Sequence, residues 1–280
     1  MKFSIFSVML PDYTPEQLVQ LLKTHGYDGV EWRVGQALKE VPDPLPARNM
    51  RYWQANRATL DEADILRQAK HVAALCAEHN LEHISLGSYV PIGEFERIER
   101  LLEAARSSGC RMVRLFPYRF EPGMDYPSLL SKAREELKTV EQLARKYAAA
   151  VTLEIHMDTI IPSASAAMRL IDGLDSAHIG VVYDAGNMVH EGYEQYDMGI
   201  KMLGPYVHHV HIKDACWSLT PSPSVEWCPI GQGRVQFDRL LKALNDIGYN
   251  RYLSFEDFSC KESDDAKLSH NISFIKSLIS

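Results

Sequence analysis

The sequence predicts an α/β fold, a single (β/α)8 TIM barrel spanning residues 1–280 as one domain. Eight strand candidates alternate strictly with eight helix candidates along the chain, which is the pattern of a parallel sheet wound into a barrel. The first strand–helix turn reads MLPDYT, without the glycine-rich phosphate loop that opens many doubly wound sheets. In VTLEIHMDTIIPS the apolar Val151, Leu153 and Ile155 alternate with Thr152, Glu154 and His156, and the same division recurs in three later strands. Apolar faces packed under helices, with polar faces converging in a closed lumen, reconcile these patterns.

Taken in order, the first strand covers Lys2 to Val8. Thr14 caps a helix to His25, with Pro15 at its first turn and Gly26 past its end. YDGVEWRV is the second strand, with Val30 and Trp32 facing outward and Glu31 and Arg33 inward. From Gly35 to Thr59 no steady period holds; Arg51, Tyr52, Trp53 and Asn56 make this stretch either a lid over the site or a surface excursion. A helix from Asp61 to His79, the strand HISLGS, a helix from Gly93 to Ser107 and the strand MVRLFPY follow, the last with Arg114 inward between Val113 and Leu115. Ser128 to Tyr147 is helical and leads into the Val151 strand. Ser163 caps a helix to Leu174; the strand IGVVYDAG, a helix from Glu194 to Gly204, and HHVHIKDA come next. A long connection, Cys216 to Val235, holds Pro221, Pro223 and PIGQGR. The helix Phe237 to Ile247, the strand YLSFED and a helix from Asp264 to Ile279 complete the count.

The net charge of −7 argues against wrapping nucleic acid, although a few basic residues could still hold a small phosphorylated substrate. No stretch approaches the roughly 20 apolar residues of a membrane span. The N-terminal run lacks a small-residue cleavage site and reads as a strand rather than a signal peptide. Five cysteines without CxxC spacing predict reduced thiols and a cytoplasmic location, with Cys76 and Cys110 in the core and no zinc site at Cys216 and Cys228.

Barrel chemistry sits at the C-terminal ends of the strands. Near those ends stand Glu154, His156, Asp184, His211, Lys213 and Glu256. Three carboxylates and an imidazole in one lumen repel one another unless a cation joins them. We therefore assign Glu154, Asp184, His211 and Glu256 to one divalent ion, with Mn2+ the first expectation and Mg2+, Co2+ or Zn2+ the others. Lys213 or Arg114 balances the residual charge. His156 reads as a hydrogen-bonding neighbour rather than a ligand, while His209, one pleat deeper, supports the site or the core. Any one of these carboxylates could equally be a barrel salt bridge, with Arg33 or Arg114 as partner. Trp53, Trp217 and Trp227, in long loops, read as a sugar-stacking lid or as loop anchors. PIGQGR reads either as an anion-binding loop or as a turn.

GYDGVEWR, LEIH, YDAGN, HHVHIKDA, PIGQGRVQF and LSFED, in this order, resemble the xylose isomerase-like barrel enzymes, the sugar isomerase/epimerase group. The resemblance covers nearly the whole chain. It implies the same four metal ligands, Glu154 and Glu256 as acid/base groups, and a substrate contact at His156. Asn187 stands where similar epimerases carry a histidine, and Trp217 where several carry an arginine; both positions touch substrate in the family. Asn187, Lys213, Arg114 and Trp53 join His156 as the expected substrate-binding set. The implied enzyme is a metal-dependent sugar isomerase or epimerase of carbohydrate metabolism that removes a proton next to a chelated carbonyl and passes through an enediolate. A dehydratase or lyase on the same scaffold gains weight from the two departures. A metal-dependent endonuclease and a non-catalytic sugar-binding protein are the rivals from other classes. The expected partner is a small sugar or polyol-derived molecule, not nucleic acid or membrane; members of the group are often dimers or tetramers, which is compatible with a homo-oligomer.

Overall fold

The computed structural model describes residues 1–218 and 224–279. Eight strands form the barrel: β1 (Lys2–Phe6), β2 (Gly29–Gly35), β3 (Glu82–Pro91), β4 (Met112–Phe116), β5 (Ala150–Glu154), β6 (Ile179–Asp184), β7 (Val207–Ile212) and β8 (Tyr252–Phe255). Each pairs in parallel with the next, and β8 pairs back onto β1 through Lys2–Tyr252 to Ile5–Phe255, so the sheet closes as the alternation predicts. The outer ring comprises α1 (Pro15–Thr24), α2 (Ile65–Glu78), α3 (Phe95–Ser108), α4 (Tyr126–Lys146), α5 (Ala164–Ile171), α6 (Tyr196–Leu203), α7 (Phe237–Asp246) and α8 (Asp264–Ile279).

Local sequence explains the helix starts. Thr14 accepts from the Gln17 backbone while the Gln17 side chain accepts from the Thr14 backbone, a reciprocal cap worth about 1 kcal/mol. Ser163 caps α5 through Ala166 N. Outward residues such as Ile5, Trp32, Leu86, Val113, Leu153, Val181 and Val210 are fully buried between strands and helices. The lumen differs: Ser4, Glu31, Ser85, Thr152, His209 and Ser254, each 1 % exposed or less, give it a polar lining.

Three features depart from the sequence reading. The stretch after β2 contains a helix, Arg48–Gln54, and a two-residue strand, Leu60–Asp61, on the edge of β2. A second short helix, Ala185–His190, starts directly on β6 because Asp184 Oδ1 accepts from Asn187 N at 2.8 Å. The Cys216–Val235 connection is partly an antiparallel ribbon, Ala215–Ser218 against Ser224–Trp227; Pro221 and Pro223 lie outside the described residues. That ribbon brings Cys216 and Cys228 together as a disulfide, with Cα atoms 6.2 Å apart. The expectation of five reduced thiols thus holds only for Cys76, Cys110 and Cys260. A twelve-residue spacing has no signature of its own, and only the ribbon's pairing reveals it. Among the described residues, no helix is long and apolar enough to cross a membrane.

His208 lies at the start of β7, 5 % exposed, and donates from Nε2 to Ser176 O at 2.7 Å. Burial pushes its pKa down to about 4, with Arg251 and His209 acting in the same direction and the Ser176 carbonyl opposing them. Between that value and the unfolded 6.5 the unfolded chain binds more protons, so stability is lost as pH falls through this window. The loss is at most about 3 kcal/mol. His208→Gln is expected to flatten this acid limb in urea midpoints measured at neutral and acidic pH. An unchanged pH dependence would exclude His208 as its source.

Candidate active site at the C-terminal end of the barrel

Four side chains from successive strands meet at the top of the lumen. Glu154 ends β5, Asp184 ends β6, His211 lies near the end of β7, and Glu256 follows β8. One donor atom from each lies within 4.8 Å of every other, and all four side chains are buried. His211 Nδ1 faces Glu154 Oε1 at 3.3 Å, Asp184 Oδ2 at 3.4 Å and Glu256 Oε2 at 3.7 Å.

Two cations lie among these groups. Arg114, on β4 and 1 % exposed, pairs with Glu154 Oε2. Lys213 Nζ sits 2.9 Å from Asp184 Oδ2, contacts Glu256 Oε2, and lies 5.0 and 5.4 Å from the rings of Trp227 and Phe258. Asn187 links the two halves: Nδ2 donates to Glu154 Oε1 at 3.0 Å and to Ile155 O at 3.1 Å, and Oδ1 accepts from Lys213 at 3.1 Å.

These neighbours set the two glutamates apart. Burial disfavours charge on both, but Arg114 overrides it at Glu154 and holds that carboxyl well below the usual range. At Glu256 burial prevails over Lys213 and His211 and pushes the carboxyl up to about 7. Burial also opposes protonation of His211, yet Glu31, Asp184 and Glu154 together raise its pKa well above the ordinary value.

The donor set fits a divalent cation. Buried Asp184 Oδ2 and Glu256 Oε2 lack a hydrogen bond of good geometry, although the Lys213 ammonium stands beside both. Glu31, Glu154, Asp184 and Glu256 are four buried carboxylates, against which Arg114 and Lys213 supply two positive charges. With neutral histidines two negative charges remain, and one divalent ion neutralises them.

Above this cluster is a cavity of about 570 Å³, within the range of small-molecule sites. Arg114, Glu154, His156, Asn187, Lys213, Glu256 and Trp53 all line it, while Asp184 and His211 lie beneath. His156 Nδ1 is 2.7 Å from Met157 O, so the proton belongs there and Nε2 is left as an acceptor. Burial first, and Lys213 with it, lowers the His156 pKa and keeps the ring neutral. Trp53, on the short helix after β2, closes one wall at 6.1 Å from Tyr89 and 5.5 Å from Phe258.

The structure corrects the lid reading of Trp217 and favours the turn reading of PIGQGR. Trp217 is not part of the lid; it is 58 % exposed and lines a separate depression with Val189 and Arg234. PIGQGR offers no free anion cradle, because Asp214 takes its amides: Oδ2 accepts from Gly231 N (3.0 Å) and Gly233 N (2.8 Å), and Oδ1 from Val235 N (3.1 Å). Sequence reasoning gave no role to Glu31, Tyr89, Phe116, Phe258 or Asp214. The inward position of Glu31 is legible from its alternation with Val30 and Trp32, whereas the aromatic walls come from side chains that only the closed barrel assembles.

The chain also resembles known proteins. The sequence profile described as "Xylose isomerase-like TIM barrel" matches residues 19–278. None of the curated proteins matches the chain at the level of sequence. Among solved structures, 3-keto-D-glucoside 4-epimerase YcjR from E. coli superposes with a TM-score of 0.73 at 18% identity, covering 99% of each chain. The zinc-bound IolI protein gives 0.74 at 17% identity, covering 100% of this chain and 96% of its own. The probable 3-DHS dehydratase AsbF from Bacillus anthracis gives 0.69 at 16% identity, covering 99% of each chain.

Proposed function

Because the chain belongs to the xylose isomerase-like TIM barrel family, we propose that it is a divalent-metal-dependent isomerase or epimerase of an unphosphorylated sugar or keto-sugar. The observation that carries this reading is the convergence of Glu154, Asp184, His211 and Glu256 within 4.8 Å of one another, below an aromatic-walled cavity. The zinc bound by IolI supports a metal here, and the oxygen-rich donor set with one imidazole favours Mn2+, Mg2+ or Co2+, with Zn2+ the remaining candidate.

Glu154, Asp184, His211 and Glu256 would hold the ion, which would supply Lewis-acid polarisation of a carbonyl and the hydroxyl beside it. Glu154 and Glu256 stand three strands apart around the barrel. One takes the acidified C–H proton from its side of the sugar ring, and the other returns a proton from the opposite side. Return to the same carbon epimerises it; return to the neighbouring carbon of an open-chain sugar, with the hydroxyl proton passing to the former carbonyl oxygen, interconverts aldose and ketose. Lys213 and Arg114 hold positive charge near the carbonyl oxygen on which negative charge develops as the proton leaves. His156 Nε2 accepts from a substrate hydroxyl, Asn187 fixes Glu154 and Lys213 together, and Trp53, Trp227 and Phe258 stack on the apolar ring face and exclude water. Engagement of the PIGQGR amides by Asp214 supports a substrate without phosphate at that loop.

Solvent-deuterium exchange on metal-loaded protein tests the reading across unphosphorylated ketoses, keto-glycosides and their phosphates. Deuterium on one carbon of recovered substrate together with its epimer or isomer is expected. Loss of water after exchange would instead match a dehydratase such as AsbF. Metal-loaded protein that exchanges no substrate proton across the panel would refute the enzymatic reading.

A further inference from the structure

His211 reaches two clusters at once. Its Nδ1 faces the three carboxylates described above, and its Nε2 lies 3.0 Å from Glu31 Oε2, deeper in the lumen. Glu31, His209 and His211 also bring their own donor atoms within 4.8 Å of one another. A neutral imidazole carries one N–H and one lone pair, so His211 can offer a cation only one of its two nitrogens. Three carboxylates lie on the Nδ1 side and one on the Nε2 side, so electrostatics assigns the cation to the upper cluster and the proton to Nε2.

We propose that Glu31 is the positioning residue of the metal centre: it accepts the His211 Nε2–H and thereby fixes the tautomer and ring orientation that aim the Nδ1 lone pair at the ion. This rests on the metal-dependent reading of the upper cluster. Glu31 is fully buried on β2, and its Oε2 also receives His209 Nε2 at 3.1 Å and the Ser254 hydroxyl at 3.4 Å. The carboxylate is thus held from β7 and β8 as well as from its own strand. Phe6 stacks on His211 with ring centres 5.8 Å apart and planes 22° apart, so the ring has a second constraint and little freedom to turn. Gly87 makes room for this arrangement; a Cβ there would lie 2.7 Å from the Phe6 ring and 3.0 Å from Glu31 Oε1. A carboxylate behind a metal-bound histidine raises the ligand's basicity and sets which nitrogen is available.

Cobalt titration followed by visible absorption tests the assignment on the full-length protein, with Glu31→Gln and Glu31→Asp beside the parent. Gln keeps the shape but removes the anion, and Asp keeps the anion but withdraws it by one methylene. The expected result is Co2+ affinity weakened about 10–100-fold in Glu31→Gln, with a shifted ligand-field band and an intermediate value for Glu31→Asp. A purely structural role would lower the melting temperature of the metal-free protein without moving the affinity or band of the folded fraction. Should Glu31→Gln fail to fold, the same comparison is made on Glu31→Asp. Parent-like affinity and band in the folded variant would overturn the proposal while leaving the metal reading intact. A parent protein that binds no cobalt would overturn both.

Discussion

Glu154→Gln and Glu256→Gln are each expected to lower turnover by about 10²–10⁴-fold or more, because each removes a group that carries the substrate proton. Their effects on stability should differ in kind. Gln at 154 leaves the buried Arg114 guanidinium without its anionic partner, and breaking a buried pair in this way costs about 3–5 kcal/mol. Gln at 256 removes a carboxyl that burial already pushes toward neutrality, and Lys213 keeps Asp184 at 2.9 Å. The metal-free Glu256→Gln protein should therefore melt near the parent temperature, whereas Glu154→Gln melts well below it. Initial rates of proton exchange and thermal melts on the two purified variants check both halves. Near-parent exchange by either variant removes that residue from the mechanism; equal melting temperatures remove the electrostatic account of Arg114.

Removing the divalent ion should have an effect of similar size. Dialysis against a chelator is expected to take proton exchange to background, and adding back Mn2+, Mg2+, Co2+ or Zn2+ separately should restore it to different extents. The melting temperature should rise on reconstitution, since a ligand at about 100 times its Kd stabilises the folded state by about 2.7 kcal/mol. The ion would replace the Nδ1 proton that Asp184 and Glu154 favour on His211, while the Nε2 proton stays with Glu31, so binding should also release acid into weakly buffered solution. Chelation that leaves both exchange and the melt untouched would separate the four-residue cluster from any metal role.

The barrel was legible because parallel strands with one buried face write a period of two into the chain, and the intervening helices write a period near four. The convergence of Glu154, Asp184, His211 and Glu256 is legible for the same reason, each standing where a strand ends. Glu31 was placed facing inward but given no task, because its meaning lies in two histidines some 180 positions away. Tyr89 and Phe258 were missed because nothing local distinguishes an aromatic residue that walls a cavity from one that fills a core. Trp217 reads as a lid residue for the complementary reason: a tryptophan in a long loop shows its exposure only when the loop has a shape. The pairing of Cys216 with Cys228 depended on a ribbon register that twelve residues of irregular composition do not announce.

Asp214 has a consequence for how such a protein could acquire new substrates. Its side chain accepts backbone amides from Gly231, Gly233 and Val235, and a side chain at Gly233 would collide with it. Insertions or replacements in that loop would break several of these bonds together, so drift there is held close to silence. Latitude for retuning falls instead to the segment bearing Trp53, which is half exposed and borders the cavity from a short helix outside the barrel. Divergence between close relatives of this chain should accumulate on that flank while the loop held by Asp214 stays fixed.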